Sequence, residues 1–355
     1  MTIRASAPGK IMLLGEYAVL AGSPALVLAV DRRVAVRGTK SGGPHWQVSA
    51  AALRLDHQAV VLPGARPAAG RAAAAGGGAA ALSFVAEAIT AALGEAAGAA
   101  APLHLEIDSA PLFAAIGRKL GLGSSAAVCV ATTAVVLTGA AVAVPTDVGF
   151  RDRLFATAKA AHARAQGGRG SGADVAASVW GGLLCYQLQG ADPAQARAAK
   201  LSTPAWLRPL VVWVGESAPT ASMVGAVARA RDRDPRGYDE LMRAMAGVAA
   251  DGVLAAERGA AARFTARVQA YADLMAELGR WSGVDIFSAR HLRAKALARR
   301  HGAIYKPAGA GGGDLGVAFL PGDAEATDLE AALAADGFEV VHCQPEAGGC
   351  EVSRT

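Results

Sequence analysis

Apolar positions recur with two different periods along the chain, and the two periods alternate from one stretch to the next. A long run with partial alternation, "PALVLAVDRRVAVRG", predicts a strand. Shorter β-type runs follow at "WQVSAAALRLD", "LHLEID", "GGLLCYQL", "RPLVVWVG", "GAIYK", "LGVAFL" and "FEVVHC". Helical spacing is found around residues 82–93, at "SSAAVCVATTAVVL", over 147–166, at "SGADVAASVW", in three stretches of 219–300 and at "DAEATDLEAALAADG". Because strands and helices are mixed throughout, we expect an α+β fold.

Three stretches suggest how the chain is organised. "TIRASAPGKIMLLGEYAVLAG" predicts a short strand, a Pro-Gly turn and a second apolar run. Residues 64–81 are low in complexity and predict a surface loop. Residues 190–208 are the candidate boundary between two lobes, which a length of 355 residues favours. We therefore expect an N-terminal lobe over 1–190 and a C-terminal lobe over 191–355.

One long uncharged stretch, residues 120–146, raises the question of a membrane span. Glycine, serine and threonine interrupt it repeatedly, which favours a buried helix followed by a loop. The N-terminal "MTIRASAPGK" lacks the apolar run of a signal peptide. The four cysteines show no CxxC spacing, so reduced thiols are expected. These features predict a cytoplasmic protein without a membrane partner.

The net charge of +5 and the pI near 9.2 suggest an anionic partner. Basic residues are scattered and aromatic residues make up only 5% of the chain, which argues against nucleic-acid binding. Only seven of the 35 basic residues are lysines. Three of these seven, Lys10, Lys119 and Lys306, lie beside Pro-Gly or glycine-rich stretches. A compact ammonium group is a common point charge on phosphate, so these positions are candidates for an anion site.

"RKLGLGSSAAV", residues 118–128, combines glycines with the start of an apolar helix. Gly121 and Gly123 let the backbone approach an anion, and the free amides at the helix start attract one. A serine hydroxyl there can also hold Mg²⁺. The same letters match the dinucleotide fingerprint G-x-G-x-x-A, with Asp147 about twenty residues on. That motif should directly follow a strand, whereas thirteen residues separate "LHLEI" from Gly121. A plain serine helix cap is the other alternative.

"AIYKPAGAGGGDLGVAF", residues 303–319, places five glycines within eight positions close to the C-terminus. Such a segment is either a flexible linker or a backbone that must approach another group closely. The strands predicted on both sides favour close approach.

Three clusters, "APGKIMLLGEYAVL", "KLGLGSSAAV" and "KPAGAGGGDLGVAF", occur in this order and resemble the three motifs of the GHMP small-molecule kinases. The resemblance spans roughly residues 5–320. It implies a two-lobed fold with a left-handed βαβ unit in the N-terminal lobe. It also implies ATP bound at residues 121–125, and a C-terminal lobe that closes over the substrate site.

Within this superfamily, "GEYAVL", "RGSGADVAASVWGG", "VVWVGESAPTASMV" and "KPAGAGGGD" are most similar to phosphomevalonate kinases. Phosphoryl transfer from ATP to phosphomevalonate is therefore expected. A mevalonate kinase or a sugar kinase of the same fold is an alternative. A nucleotide-binding regulator is a third reading, but it should lack the Lys10 and Asp174 pair, and both are present.

The resemblance also assigns roles to residues. It makes Asp174 the catalytic carboxylate, with Lys10 as its cationic partner. The implied ATP-binding residues are Lys119, Gly121, Leu122, Gly123, Ser124, Ser125 and Ala126, with Ser124 and Ser125 also as Mg²⁺ ligands. The implied substrate-binding residues are Lys10, Glu16, Tyr17, Arg169, Ser171, Gly172, Lys306, Gly311, Gly312 and Gly313. The expected partners are ATP and a phosphorylated hydroxy acid, bound by a monomer or homodimer.

Five features bear on this assignment. The helix before Asp174, "AHARAQGGRG", has no acid where mevalonate kinases carry a magnesium-binding glutamate. Val214 stands where phosphomevalonate kinases have a threonine, and Tyr17 where mevalonate kinases usually have a histidine. His162 is expected to be structural, since a lone helical histidine most often is. The local density of cations (Lys10, Lys119, Arg169 and Lys306, with Arg118 nearby) favours a phosphate acceptor, which is largely dianionic at neutral pH.

Overall fold

The computed structural model describes residues 1–63, 77–96, 100–114, 117–142, 145–168, 170–189, 195–216, 220–320 and 326–355. Two predictions fall partly outside these ranges. Most of the predicted loop at 64–81 lies outside the described residues, and residues 77–81 begin a helix. Arg169 also lies outside them.

Strands and helices are mixed, as predicted, so the fold is α+β. The strands within the described residues are β1 (Thr2–Leu14), β2 (Ala25–Lys40), β3 (Gln47–Ala50), β4 (Leu55–Ala59), β5 (Leu103–Asp108), β6 (Leu183–Leu188), β7 (Ala196–Leu201), β8 (Leu210–Trp213), β9 (Ile304–Pro307), β10 (Leu315–Phe319), β11 (Glu339–Val340) and β12 (Glu351–Arg354). The α-helices are α1 (Gly77–Glu95), α2 (Ser124–Gly139), α3 (Phe150–Ala165), α4 (Ala173–Trp180), α5 (Thr220–Arg233), α6 (Pro235–Glu257), α7 (Ala261–Ser282), α8 (Ala289–Arg300) and α9 (Thr327–Ala335).

The strands form two sheets. In the first sheet the order is β12-β1-β2-β5-β3-β4, while β6 pairs with β2 and β7 pairs with β6. The β3–β5 pair is parallel and the other pairs are antiparallel. The second sheet has the order β11-β8-β10-β9 and is antiparallel. We call the turn between β9 and β10, residues 308–314, the hairpin loop.

Helix α2 is the centre of the first half. Every residue from Ala126 to Thr138 is buried, and the helix packs on β1, β2, α1 and α3. The uncharged stretch that contains it is therefore a buried helix, as predicted. Among the described residues, no helix is both long and apolar enough to cross a membrane.

Strand β1 differs from the prediction, because no turn interrupts it at Pro8-Gly9. It runs through both residues, and its pairing with β2 shifts register between them. Proline has no amide hydrogen to donate to a neighbouring strand, so it is tolerated where the strand pairing is irregular. A side chain at Gly9 would put its Cβ 2.9 Å from the Leu122 carbonyl oxygen. The Lys10 amide donates to that same oxygen at 2.8 Å. The register shift thus places the Lys10 backbone in a hydrogen bond with Leu122.

Other element boundaries also differ from the predictions. "WQVSAAALRLD" forms two strands, β3 and β4, joined at Arg54, which has a positive φ of 56°. Residues 220–300 contain four helices within the described part, because Asp234 caps a new helix before Pro235. Strands β7 and β12 were not predicted.

Strands β7 and β12 both join the first sheet although they lie beyond residue 190. The chain reaches β12 along a path fixed by backbone contacts. The Glu346 amide donates to the Ala29 carbonyl at 2.9 Å, and the Cys350 amide to the Val179 carbonyl at 3.1 Å. The boundary of the first sheet therefore does not follow the predicted lobe boundary, and the division into two lobes stays a prediction.

A buried ion pair joins the loop after β1 to strand β9. Lys306 is 0% exposed and Glu16 is 1% exposed, and Lys306 Nζ donates to Glu16 Oε1. Lys306 Nζ also donates to the Pro307 carbonyl at 2.8 Å. Burial lowers the pKa of the Lys306 ammonium, while the adjacent Glu16 carboxylate opposes that shift. The predicted substrate contact of Lys306 is therefore corrected, because its charge is used on Glu16.

Two tyrosines reinforce this connection. Tyr17 Oη donates to the Ala310 carbonyl at 2.6 Å, and Tyr271 Oη donates to the Glu16 carbonyl at 2.7 Å. Burial, helped by the negative charge of Glu16, raises the pKa of both tyrosines, so both remain protonated donors. Tyr17 thereby holds the hairpin loop against the loop after β1, and Tyr271 holds that loop against α7.

His291 supports the hairpin loop from α8. Its Nε2 is 3.0 Å from the Gly313 carbonyl oxygen and its Nδ1 is 2.9 Å from Tyr305 Oη. A carbonyl only accepts, so Nε2–H donates to Gly313 and Nδ1 accepts from Tyr305. Burial lowers the pKa of His291 to about 4, with a smaller contribution from the Lys306 charge, against the opposing hydrogen bond to Gly313.

We expect Lys306→Met to destabilise the fold rather than to weaken substrate binding. It leaves the Glu16 carboxylate buried without its cation, which typically costs about 3–5 kcal/mol. The double variant Glu16→Gln/Lys306→Met should recover much of that loss. Urea unfolding measures each free energy. Arg236→Met is the control, since it removes an exposed pair with Glu240 and should cost about 0–1 kcal/mol. A stable Lys306→Met protein with a raised acceptor KM would instead restore direct substrate contact.

We also expect acid to destabilise the fold through His291. Its pKa is lower when folded than its ordinary value of 6.5, so its contribution is complete above pH 6.5 and is lost as pH falls towards 4. Between pH 7 and pH 5 the loss should be about 2 kcal/mol. Urea unfolding of the wild type and of His291→Gln measures it, because the variant should lack this part of the pH dependence. His301→Gln, at an exposed position, should keep it. Equal pH slopes for the wild type and His291→Gln would contradict the assignment.

Candidate active site

A cavity of about 480 Å³ lies where β1, α2, α4, α5 and the hairpin loop meet. Its charged lining residues are Lys10, Glu16, Lys119, Asp174 and Asp314. These come from widely separated parts of the sequence, and the two sheets bring them to one wall.

We call residues 119–125 the glycine–serine loop, and it forms one side of the cavity. Gly121 and Gly123 have φ angles of +87° and +81°, which only glycine adopts without strain. Gly123 is the N-cap residue of α2, and no side chain caps this helix end. The first amides of a 16-residue helix therefore open beside Ser124 and Ser125, which both line the cavity. This arrangement is an anion site of the kind that binds phosphate.

The hairpin loop touches the glycine–serine loop directly. A Cβ on Gly121 would lie 2.6 Å from the Cβ of Asp314, so only glycine fits beneath that aspartate. Within the hairpin loop, a Cβ on Gly311 would lie 2.4 Å from the Ile286 carbonyl oxygen, and the Gly312 amide donates to that oxygen at 2.9 Å. The loop is thus a close-packed turn between two strands, and the linker alternative is wrong. The glycines themselves, however, pack against protein backbone.

Lys10 crosses the glycine–serine loop. A Cβ on Gly123 would lie 3.2 Å from two carbons of the Lys10 side chain, so the two are in contact. Lys119 lines the same cavity. Among the described residues, neither lysine forms an ion pair within 4.0 Å. Two lysines on the cavity wall therefore stand without a direct ion pair in the described part of the chain.

Asp174 lies in the first turn of α4 and lines the cavity. Its Oδ1 accepts from the Val175 amide at 2.9 Å, and its Oδ2 is 3.9 Å from His162 Nε2. Within the described part of the chain it makes no ion pair with Lys10. The expected direct pairing is therefore corrected: both groups face one cavity, but the Asp174 carboxylate is turned towards its own helix and His162.

Sequence reasoning missed several residues at the cavity. Gln166, Thr220 and Asp314 line it, and His162 lies behind Ser125 and Asp174. One signal was available for α3. Lys159, His162 and Gln166 have the spacing i, i+3 and i+7, which places three polar residues on one helix face. Lys159 and His162 are both buried, so this face is turned inward.

The predicted site residues that lie within the described ranges divide into two groups. Those that line the cavity are Lys10, Glu16, Tyr17, Lys119, Gly121, Gly123, Ser124, Ser125, Ser171, Asp174, Gly311 and Gly313. Those described but not on its wall are Leu122, Ala126, Gly172, Lys306 and Gly312. Leu122 and Ala126 are fully buried, so only their backbone could reach a nucleotide. Gly172 packs on the Lys159 side chain, 3.0 Å from where a Cβ would stand.

The oxygen donors on the cavity wall suit a magnesium ion. Serine hydroxyls and carboxylates are the hard ligands that Mg²⁺ prefers, and Ser124, Ser125, Asp174 and Asp314 supply both. Among the described residues, no group of three or more His, Cys, Asp or Glu side chains could hold a metal alone. A Mg²⁺ at this wall would therefore share its coordination with the oxygens of a bound phosphate.

Comparisons with known proteins agree with this site. The family model described as the GHMP kinases N terminal domain matches residues 83–182, which include the glycine–serine loop and Asp174. The phosphomevalonate kinase of Streptomyces sp. (strain CL190) is 32% identical, covering 92% of this chain and 91% of its own length. The mevalonate kinase of Aeropyrum pernix is 30% identical, with 91% and 90% coverage.

A solved structure extends the comparison to the whole fold. Streptococcus pneumoniae phosphomevalonate kinase in complex with phosphomevalonate and AMPPNP superposes with a TM-score of 0.75 at 22% identity, covering 97% of this chain and 99% of that one. The three ordered motifs line one cavity. The relatives named phosphomevalonate kinase and mevalonate kinase belong to the same family as these motifs. The chain belongs to the GHMP kinases, and its resemblance to the phosphomevalonate kinases among them is confirmed.

Proposed function

We propose that this chain transfers the γ-phosphoryl group of ATP to the phosphate of phosphomevalonate, releasing ADP and diphosphomevalonate. The observation that carries the proposal is the pair of ammonium groups, Lys10 and Lys119, on the cavity wall beside the glycine–serine loop. A reaction that joins two phosphate groups must first overcome the repulsion between them. Lys10 and Lys119 make no ion pair with an acid among the described residues, so they could reduce that repulsion at the loop where one phosphate would bind.

The nucleotide half of the site has its own support. The amides at the start of α2 would hold phosphate oxygens, and Lys10 lies across Gly123, within reach of the same oxygens. Mg²⁺, when bound with ATP, would neutralise charge on the β- and γ-phosphates. Asp174 faces the same space, where it can orient an ammonium group or the acceptor.

The cavity as a whole has a mixed lining. Its apolar side chains are Met12, Val19, Leu20, Val27 and Val224. A small branched acid with one hydroxyl leaves methyl and methylene groups for such a surface, whereas a sugar presents hydroxyls in every direction. This lining favours a phosphorylated hydroxy acid over a sugar.

Mevalonate itself is the second candidate acceptor. Asp174 makes no ion pair with a lysine among the described residues, so it is free to act as a general base on a hydroxyl. One predicted cation is also already paired, since Lys306 is neutralised by Glu16. The relative named mevalonate kinase at 30% identity is consistent with this alternative.

We expect ADP release with phosphomevalonate and little with mevalonate or galactose, each offered separately with ATP and Mg²⁺. The control is Gly123→Val, whose branched side chain would occupy the space of the phosphate-binding backbone and should abolish turnover with every acceptor. Faster turnover of mevalonate would replace the acceptor while keeping the kinase. ATP binding without turnover of any acceptor would favour the nucleotide-binding regulator.

A second test compares Asp174→Asn with Lys10→Ala on phosphomevalonate. An ionised phosphate acceptor needs no proton removed, so losing Asp174 should cost at or below the low end of the range for general-base catalysis, about 10²–10⁴-fold. Losing Lys10 should cost at least as much, because one of two unpaired cations disappears. Values of kcat/KM from mildly acidic to mildly alkaline pH measure both, with circular dichroism to check folding. A defect in Asp174→Asn far larger than in Lys10→Ala would contradict a phosphate acceptor.

A further inference from the structure

His162 lies between two groups of the site although it does not line the cavity. It is in the last turn of α3, and its side chain is only 4% exposed. Its Nε2 is 3.2 Å from Ser125 Oγ and 3.9 Å from Asp174 Oδ2. Ser125 lies in the first turn of α2, and Asp174 in the first turn of α4. One imidazole nitrogen therefore faces both the nucleotide side and the acceptor side of the site.

The chemistry of these neighbours fixes the direction of the hydrogen bond. The carboxylate of Asp174 only accepts hydrogen bonds, and a bare nitrogen lone pair turned towards it would be repelled. A hydrogen on Nε2 relieves that repulsion, and it is then donated to Ser125 Oγ. The hydroxyl hydrogen of Ser125 must in turn point away from His162. Because Ser125 lines the cavity, this hydrogen can be donated to an anionic oxygen there.

The surroundings hold the imidazole in place. The ring of Phe84, on α1, lies 5.1 Å from the His162 ring, centroid to centroid. His162, on α3, is thus in contact with or close to one residue from each of three other helices: Phe84 on α1, Ser125 on α2 and Asp174 on α4. A buried ring with neighbours on three other helices has little freedom to turn, which suits a group that sets the orientation of others.

We infer that His162 is a positioning residue for phosphoryl transfer, which rests on the proposed kinase function. It holds the Ser125 hydroxyl as a hydrogen-bond donor towards the nucleotide phosphates. Through the charge attraction between its Nε2–H and the Asp174 carboxylate, 3.9 Å away, it also keeps that carboxylate beside the cavity. Neither action requires His162 to touch substrate.

The test uses the full chain and four variants: His162→Leu, His162→Gln, Ser125→Ala and the double variant Ser125→Ala/His162→Leu. Calorimetry with a non-hydrolysable ATP analogue and Mg²⁺ gives the nucleotide Kd, and steady-state assays give kcat and KM. His162→Leu should raise the Kd of the analogue and lower kcat. The two effects multiplied should amount to about 10–100-fold, as for other supporting residues. His162→Gln, whose amide nitrogen can replace Nε2 as a donor, should keep most of both. The double variant should bind the analogue about as well as Ser125→Ala alone.

His104→Leu is the matched control. It breaks a similar pair, His104 Nε2 to Ser49 Oγ at 2.9 Å, on the first sheet and away from the cavity. It should leave Kd and kcat unchanged.

Three results would overturn the inference. The first is a folded His162→Leu protein with wild-type Kd and kcat. The second is strictly additive losses from Ser125→Ala and His162→Leu. The third is a lowered melting temperature in both His162 variants with normal kcat per folded molecule, which marks a purely structural histidine. If His162→Leu does not fold, His162→Ala, which also lacks the donor, replaces it alone and together with Ser125→Ala. If phosphomevalonate is not an acceptor, that result is distinguishable from failure of this inference, because binding of the ATP analogue and the coupling between Ser125 and His162 do not involve the acceptor.

Discussion

The buried ion pair between Glu16 and Lys306 is the constraint on which the site depends. Two charges removed from water are tolerated only when they stay in contact, and the more so here because Glu16 Oε2 has no hydrogen-bond partner among the described residues. Here the contact joins the loop after β1 to β9, and the Tyr17 hydroxyl joins the same loop to the hairpin loop. Tyr271, on α7, holds the Glu16 backbone from the other side. The hairpin loop therefore cannot move away from β1 without exposing an unpaired charge in an apolar interior, and the cavity wall is set before any ligand arrives.

This fixed hairpin loop explains the glycines of the anion site. Asp314 comes down on Gly121, and Lys10 lies across Gly123, so a side chain at either glycine would strike one of them. Both glycines also need positive φ angles to turn the chain into α2. The result is a loop that packs an acidic and a basic side chain against its backbone while leaving the helix start open. The close approach of the backbone that the composition predicted is thus, in the structure, an approach to neighbouring protein.

The sequence was sufficient for features that are local. The serine start of α2 and the alternation in "LHLEID" reproduce the observed elements, since periodicity and helix starts depend on a few adjacent residues. Features that depend on distant partners were not predictable. Lys306 looked like a phosphate ligand because nothing near it in sequence indicates that Glu16, 290 positions away, takes its charge. The contacts of His162 were hidden for the same reason, because Ser125 and Asp174 meet it only through helix packing.

The charges on the cavity wall also bear on the form in which the nucleotide binds. Asp174 and Asp314 face the same space as Lys10 and Lys119, so the wall is not simply positive. A bare triphosphate would gain from the two ammonium groups and the start of α2, yet would be repelled by the two carboxylates. A nucleotide that brings its own divalent cation reverses the second effect, because carboxylate and serine oxygens then face a positive ion. On the proposed function, the acids near the glycine–serine loop therefore favour metal-bound ATP over the free anion, and the lysines remain available for the second phosphate.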